Sequence, residues 1–253
     1  MISCLTVTQP GRLELLARAV ADFRAQTLRE RELVIVHDGD PAFHERVLRL
    51  AADTDAAPIR VVPLPAGLSL GALRNAAAEA ARGEFVCQWD DDDRYHPRRL
   101  EAQLEALRSA AGDCSFLADQ LHLFAEHRKM YWDDWYHTPY PLNLVPGTLF
   151  ARREALPRYP EMTHGEDTAV LAELLVRGRR LAKLRERGYL YVYVFHGRNA
   201  FEGAHHAMIS RSRRLPAARL LQLEAPLRAH VAEYDPPLGP FVMPYQGGEL
   251  KFS

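Results

Sequence analysis

The fold is decided most clearly by one stretch, Gly83-Glu84-Phe85-Val86-Cys87-Gln88-Trp89-Asp90-Asp91-Asp92-Asp93. Its apolar run indicates a buried strand, and the four aspartates stop that strand abruptly, because adjacent carboxylates repel one another inside a strand or helix. In parallel sheets, ligands bind beyond the carboxyl ends of the strands. Oxygen ligands at that edge suit a hard ion such as Mg²⁺ or Mn²⁺. A solvated acidic turn is the alternative, since charge runs are usually surface features.

Strands and helices alternate on both sides of this stretch. Apolar runs predict strands over residues 2–7, 33–36 and 59–62, and helical spacing of apolar residues predicts helices between them. Such alternation is typical of an α/β fold with a mostly parallel central sheet flanked by helices. Thr8 and Asp38 each follow a predicted strand, so we expect them at the same edge as the aspartates.

The second half of the chain is less regular. A helix is predicted over residues 166–179, a strand over 190–195 that ends at His196, and a C-terminal helix over 215–233. The residues from 198 to 214 are expected to form a loop that closes over the ligand. Four prolines in the remaining tail predict a segment without regular structure.

Charge and composition exclude some classes of protein. A formal net charge of −1 provides no positive field for nucleic acid, so no nucleic-acid partner is expected. The N-terminal residues lack the pattern of a secretory signal, and no run reaches the roughly 18 apolar residues of a membrane span. The odd number of cysteines, without CxxC spacing, favours buried free thiols in a reducing compartment. We therefore expect a cytoplasmic protein without a transmembrane segment, and peripheral membrane contact stays open.

Five short motifs, in order along the chain, resemble the family 2 glycosyltransferases. Each alone is a weak signal, and their shared order over roughly residues 3–199 carries the resemblance. The motifs are Gln26-Thr27 with the strand to His37-Asp38-Gly39-Asp40, Gly71-Ala72-Leu73-Arg74-Asn75, Trp89-Asp90-Asp91-Asp92-Asp93, Gly165-Glu166-Asp167 and His196-Gly197-Arg198-Asn199.

The resemblance implies a GT-A type fold in one domain, residues 1–253. Residues 1–110 would bind a nucleotide-sugar, residues 111–214 would serve the acceptor and catalysis, and residues 215–253 would form a C-terminal helix and Pro-rich tail. It also implies a Mn²⁺ or Mg²⁺ cofactor, a UDP-sugar donor by default and inversion at the anomeric carbon. Such an enzyme would act on a carbohydrate, lipid-linked or other hydroxyl acceptor, in the synthesis of surface polysaccharide or glycoconjugates.

The same resemblance assigns site residues by position. Asp167 would be the catalytic base, and Asp92 with His196 would serve the metal. The residues assigned to the nucleotide-sugar are Thr8, Asp38, Arg74, Asp90 and Asp91. The segments Val7-Thr8-Gln9-Pro10 and His37-Asp38-Gly39-Asp40 depart from the family pattern where the base is bound, so the identity of the base stays open.

Each assignment has a structural alternative. Asp38 can stabilise a turn, Arg74 can pair with Glu79, and His196 can be a core histidine. Glu166 and Asp167 can cap a helix, whose amides would favour the ionised carboxylate.

An aromatic and acidic segment is the candidate acceptor surface, because aromatic faces stack on sugars and carboxylates accept hydroxyl hydrogen bonds. A hairpin whose alternate aromatics fill the core is the alternative. The acceptor candidates are Trp132, Asp133, Asp134, Trp135 and Glu166.

Three arginines, Arg211, Arg213 and Arg214, lie before the last predicted helix, where they face either solvent or phosphate. Two other functions use similar folds: a sugar nucleotidyltransferase and a non-catalytic carbohydrate-binding module. The first would prefer a glycine-rich basic loop after the first strand, which Thr8-Gln9-Pro10-Gly11 resembles poorly. The second would need neither the aspartate run nor Glu166 and Asp167.

Overall fold

The computed structural model describes residues 1–52, 57–140 and 143–253. Strands and helices alternate through its first half, as the sequence predicts. The strands are β1 (Ile2–Thr8), β2 (Arg31–His37), β3 (Ile59–Pro63), β4 (Phe85–Gln88), β5 (Arg94–Tyr95), β6 (Cys114–Leu117), β7 (Asp119–Phe124), β8 (Lys129–Asp134), β9 (Phe150–Arg152), β10 (Leu181–Leu184), β11 (Tyr191–Phe195), β12 (Phe241–Tyr245) and β13 (Gly248–Phe252). The α-helices are α1 (Leu13–Arg24), α2 (Pro41–Ala51), α3 (Leu70–Ala80), α4 (Arg99–Ser109), α5 (Glu166–Val176), α6 (Gly203–Ser212), α7 (Ala217–Gln222) and α8 (Glu224–Val231).

The central sheet has the strand order β10-β6-β9-β4-β1-β2-β3. Strands β4, β1, β2 and β3 run parallel, and β6 and β10 are parallel to each other, whereas β9 runs antiparallel between β4 and β6. This is the mostly parallel sheet that the sequence predicts. Because neighbouring parallel strands end at one edge, β1, β2 and β4 bring Thr8, Asp38 and Asp90 to the same side of the molecule.

Helices cover both faces of this sheet. Side chains of β1 and β2 alternate between two cores, so that Ile35 packs with one and Val34 with the other. On the first face lies α1, whose Phe23 is fully buried. On the second face lies α3, which contributes Leu73 and Ala77. Burial on both faces explains why these strands are continuous apolar runs.

A second sheet has the order β13-β12-β8-β7-β11-β5 and carries the other wall of the site. In its middle, β7 pairs antiparallel with β8 and parallel with β11. The core that contains Ile35 continues into this sheet through Leu121, Trp132 and Val192. The two sheets therefore share one apolar cluster.

The C-terminal part differs from the sequence prediction. The Pro-rich tail, predicted to lack regular structure, forms the antiparallel hairpin β12–β13, with Pro244 paired to Glu249. Phe241 and Phe252 stack with their ring centroids 4.6 Å apart and are buried, so the tail completes a core. Apolar alternation in that hairpin outweighs the proline signal, because proline is tolerated in strands near a sheet edge.

Two further expectations change in detail. The predicted loop over residues 198–214 contains the helix α6, and the single predicted C-terminal helix is divided into α7 and α8 at Leu223. All three cysteines are free and buried, as expected. None of the helices in the described parts of the chain is long and apolar enough to span a membrane.

Candidate active site

A cavity of about 690 Å³ opens at the carboxyl edge of the central sheet. The ends of β1, β2 and β4 form one side of it, with Thr8, Asp38 and Asp90 to Asp93 in the wall. The opposite side comes from the second sheet and from the helices α5 and α6. The cavity therefore lies between the two halves that the sequence distinguishes.

The four aspartates have different surroundings. Asp93 is buried, and it accepts hydrogen bonds from the Tyr191 hydroxyl and from the Val194 amide, at 2.9 Å for the latter. Asp90 accepts a hydrogen bond of 2.9 Å from Gln88 Nε2. The run is therefore not a solvated turn, because its carboxylates are held by buried donors.

Arg12 binds the middle of the run and is a site residue that the sequence analysis missed. Its guanidinium lies 2.8 Å from Asp91 Oδ1 and also contacts Asp92 Oδ2. Burial opposes the charge of Arg12, but Asp92 and Asp91 raise its pKa above the ordinary value. The signal was its position four residues after the end of β1, at the ligand edge.

Asp91 and Asp92 are adjacent, but their surroundings shift their pKa values in opposite directions. Burial and the neighbouring charge of Asp92 raise the pKa of Asp91 to about 7, against the effects of Arg12 and the Thr8 hydroxyl. Burial alone would also raise the pKa of Asp92, but hydrogen bonding from His196 and the charge of Arg12 lower it overall. Asp92 is thus the firmly ionised carboxylate of the pair.

Arg74 joins the two halves of the site. Its Nε lies 2.7 Å from Glu166 Oε1, and its Nη2 lies 2.8 Å from Asp90 Oδ1. Glu79, the alternative partner, pairs instead with Arg158. Arg74 is buried, so these charge-assisted bonds are stronger than exposed ion pairs and fix Asp90 relative to α5.

Asp167 lines the cavity in the first turn of α5, next to Glu166. Its Oδ1 accepts a hydrogen bond of 2.6 Å from the Thr168 amide. Burial raises the pKa of Asp167, with Glu166 and Asp90 adding to the rise and Arg74 opposing it. The direction is opposite to that expected from the helix amides alone, and it makes the ionised carboxylate more basic.

Thr8 and Asp38 lie where the sequence predicts, on the wall formed by β1 and β2. Thr8 is buried, and Asp38 is partly exposed. The Gly67 amide approaches Asp38 Oδ2 at 3.4 Å. Asp38 thus makes one weak contact with a backbone amide distant in sequence and lines the cavity.

His196 lies directly behind Asp92. Its Nε2 is 3.1 Å from Asp92 Oδ2, and its Nδ1 accepts the Arg198 amide at 3.2 Å. Because Nδ1 is an acceptor, the proton of the neutral ring is on Nε2, which donates a hydrogen bond to Asp92. In this state His196 orients Asp92, and ligation of a metal by Nε2 requires loss of that proton.

The aromatic segment divides between core and cavity. Trp132 and Asp133 are buried in the second sheet, and neither of them lines the cavity. Asp134 bonds the Tyr136 amide at 2.9 Å, also outside the lining. Trp135 does line the cavity. Apart from Trp135, the segment therefore matches the alternative given above, a hairpin whose alternate aromatic side chains fill the core. The side chains of β8 alternate between the two faces of the sheet.

The face of the second sheet that meets the cavity carries residues the sequence analysis did not select. Gln120 and His122 of β7, and Tyr193 of β11, line the cavity. His122 Nδ1 lies 2.9 Å from Asp133 Oδ2, so Asp133 contacts a residue of the cavity wall without lining the cavity itself. Gln120 and His122 are two residues apart, which indicates that they share one face of β7. The same spacing is typical of any half-buried strand, so it does not by itself indicate a site.

The three late arginines also separate. Arg213 lines the cavity, and its guanidinium lies 4.0 Å from the ring centroid of Trp135. Arg214 lies 4.3 Å over the ring of Tyr131, and Arg211 is exposed. Only Arg213 of the three is therefore in the cavity wall.

Comparison with known proteins adds the family. The sequence model of Glycosyl transferase family 2 matches residues 11–143, just over half of the chain. The match includes α1, the aspartate run and Arg74. No curated protein matches the chain.

Solved structures share the fold at low sequence identity. TarS 1-349 of S. aureus in complex with UDP-GlcNAc superposes with a TM-score of 0.62 at 15% identity, covering 92% of this chain and 67% of that one. The mannosyltransferase PcManGT of Pyrobaculum calidifontis, in complex with GDP-Man and Mn2+, gives a TM-score of 0.60 at 15% identity, covering 92% and 71%. These similarities support the predicted GT-A type architecture.

Proposed function

The chain belongs to glycosyl transferase family 2 and is a glycosyltransferase, and from that premise we propose that it transfers a sugar from a nucleoside-diphosphate sugar to a hydroxyl acceptor with inversion. The observation that carries the proposal is the contact of Asp92 with both Arg12 and His196 at the ligand edge of the sheet. The family favours this function over a sugar nucleotidyltransferase or a carbohydrate-binding module.

The donor would lie along the wall formed by β1, β2 and β4. Arg12 and Arg74 bring two guanidinium groups to the cavity, and such forks bind phosphate oxygens well. Asp38 at the far end would accept the ring N–H of a base, as uracil and guanine can donate one. The similar folds in complex with UDP-GlcNAc and with GDP-Man support a nucleotide-sugar without choosing its base.

A divalent cation fits the residues beside this wall. Asp92 is ionised and meets His196 within 3.1 Å, and Mg²⁺ typically uses one or two carboxylates together with substrate phosphate oxygens and water. We therefore propose Asp92 as the principal metal residue, with His196 beside it. When bound, the ion would supply positive charge next to the diphosphate leaving group.

Asp167 would take the proton of the acceptor. In the proposed reaction the acceptor oxygen forms a bond to the anomeric carbon, and the bond to the diphosphate oxygen breaks with its electron pair. The acceptor proton passes to the carboxylate of Asp167, whose pKa is raised mainly by burial. A base with a pKa nearer to the working pH is more effective in such transfers.

A thermal-shift screen tests the donor site. The ligands are UDP, GDP, dTDP, CDP and ADP, each with and without Mn²⁺. We expect one diphosphate to raise Tm in the presence of Mn²⁺, and a ligand at 100 times its Kd adds about 2.7 kcal/mol of stability. If none of the five raises Tm with Mn²⁺, the proposed donor site is wrong.

A further inference from the structure

Two histidines and a glutamate meet on a face of the molecule that the catalytic cavity does not reach. His96 follows β5, whereas His230 lies in the last turn of α8 and Glu233 just beyond it. Each of the three can offer one ligand atom, and these atoms all lie within 4.8 Å of one another. None of the three lines the catalytic cavity.

The distances among the ligand atoms are near those of a metal site. His96 Nε2 lies 3.6 Å from Glu233 Oε2, and His230 Nδ1 lies 3.3 Å from Glu233 Oε1. Two bonds of about 2.0–2.2 Å to tetrahedral zinc separate their ligand atoms by roughly 3.4 Å. Each histidine is therefore close to the separation that zinc requires from one oxygen of Glu233, Oε2 for His96 and Oε1 for His230.

A buried nitrogen without a well-formed hydrogen bond lies in this cluster. His96 is fully buried, and its Nε2 has no hydrogen-bond partner among the described residues. A buried polar atom without a partner is costly, so such atoms call for an explanation, of which an ion is one. The other two groups are more accessible, since the Glu233 side chain is 41% exposed, and this leaves a route for an ion.

The rings around the cluster hold it in shape. His230 stacks on Tyr189 with centroids 3.6 Å apart and an interplanar angle of 4°. The Tyr234 hydroxyl donates to the Tyr189 carbonyl at 2.8 Å. These contacts fix the ring of His230 beside His96, so little reorganisation is needed to bring the ligands together.

From these observations we propose that His96, His230 and Glu233 form a zinc site that links the end of α8 to the turn after β5. Two imidazoles and one carboxylate are a ligand set that zinc accepts, with water in the fourth position. The site is separate from the proposed catalytic metal at Asp92, which has mainly oxygen ligands and would prefer Mg²⁺ or Mn²⁺.

Binding has one local cost. His96 Nδ1 accepts the Arg98 amide at 3.2 Å, so the neutral ring carries its proton on Nε2. Ligation through Nε2 moves that proton to Nδ1 and gives up this hydrogen bond. The bond is long and joins residues only two apart, so its loss is small beside three bonds to zinc.

Zinc titration of the Asp92→Asn protein tests the proposal, because that background removes the proposed catalytic metal residue. We expect one zinc per chain by equilibrium dialysis with metal analysis, together with a rise in Tm that EDTA reverses. Replacement by Co²⁺ should give the visible absorption of a tetrahedral N/O site. Failure to bind zinc in this background overturns the proposal, whatever the donor screen gives.

Matched variants assign the ligands. In the Asp92→Asn background, His230→Ala and Glu233→Gln should each weaken zinc binding by about tenfold or more, because each removes one of three ligands. His127→Ala, at an exposed histidine elsewhere, is the control and should bind zinc as its parent does. Zinc bound equally well by both ligand variants would overturn the assignment, and the wild-type donor screen stays independent of either result.

Discussion

At the scale of single residues, the site depends on how two arginines distribute charge among buried carboxylates. Arg12 holds Asp91 and Asp92, and Arg74 holds Asp90 and Glu166. Breaking such a pair leaves a buried charge without compensation, so these contacts fix positions more than they add stability. A diphosphate and a cation entering together would preserve the balance, because they bring opposite charges.

The first prediction concerns Asp92. Asp92→Asn should weaken Mn²⁺-dependent binding of the nucleoside diphosphate by at least about tenfold, since even residues that only support metal ligands cost 10–100-fold. Isothermal calorimetry with and without Mn²⁺ measures the effect. Asp40→Asn is the control, because Asp40 caps α2 from an exposed position and asparagine caps a helix equally well. A folded Asp92→Asn protein with unchanged Mn²⁺-dependent affinity would exclude Asp92 as the metal residue.

The second prediction concerns Asp167 and pH. A base must be ionised, and burial raises the pKa of Asp167, so turnover should rise with pH over a range above that of an ordinary aspartate. Asp167→Asn should lower kcat by roughly 100-fold or more and remove this rise, while donor affinity stays near wild type. Release of the nucleoside diphosphate, followed against pH, provides the measurement.

Glu173→Gln is the matched control for Asp167, because Glu173 lies on the same helix, has a side chain that is 45% exposed and pairs with Arg177. It should keep the wild-type pH profile. Near-normal turnover by Asp167→Asn would exclude Asp167 as the base. His122, whose Nδ1 contacts Asp133, would then be the next candidate.

At the scale of elements, most of the first half could be predicted from the sequence, because each strand is an apolar run and each helix has a continuous apolar stripe. The Pro-rich tail and residues 203–212 could not, since their order depends on distant partners. Pro244 pairs with Glu249 across a hairpin, and α6 buries His206 and Ser210 against the second sheet. The local secondary-structure propensity of a segment carries no information about such distant contacts.

The third prediction concerns α6, which contributes Met208 and Ile209 to the cavity wall. We expect hydrogen exchange over residues 198–214 to slow when nucleoside diphosphate and Mn²⁺ are added, because a bound donor favours closure that excludes water. Helix α8 lies outside the cavity lining and should exchange at an unchanged rate. Equal exchange in α6 with and without saturating ligand would argue against a lid.

At the scale of the whole molecule, strand order explains why the wall formed by β1, β2 and β4 is easier to predict from the sequence than the wall formed by the second sheet. Thr8, Asp38 and Asp90 to Asp92 line the cavity because parallel strands end at one edge, and Arg74 reaches the same cavity from α3. Trp132 does not, because it points to the face of β8 opposite to that of Asp133, and Asp133 is buried against His122 although it pairs with Gln120 on the cavity face. A one-residue change of register would exchange the two faces, and the sequence alone does not fix that register.

We propose above all that this chain transfers sugar from a nucleotide-sugar with the help of a divalent cation at Asp92. The most direct test is mass-spectrometric detection of nucleoside diphosphate released from UDP-GlcNAc, UDP-glucose, UDP-galactose and GDP-mannose, with Mn²⁺ and with EDTA. We expect release from at least one donor with Mn²⁺, loss of that release in EDTA, and loss in Asp92→Asn. Release that is equally fast in EDTA, or in Asp92→Asn, would contradict this proposal.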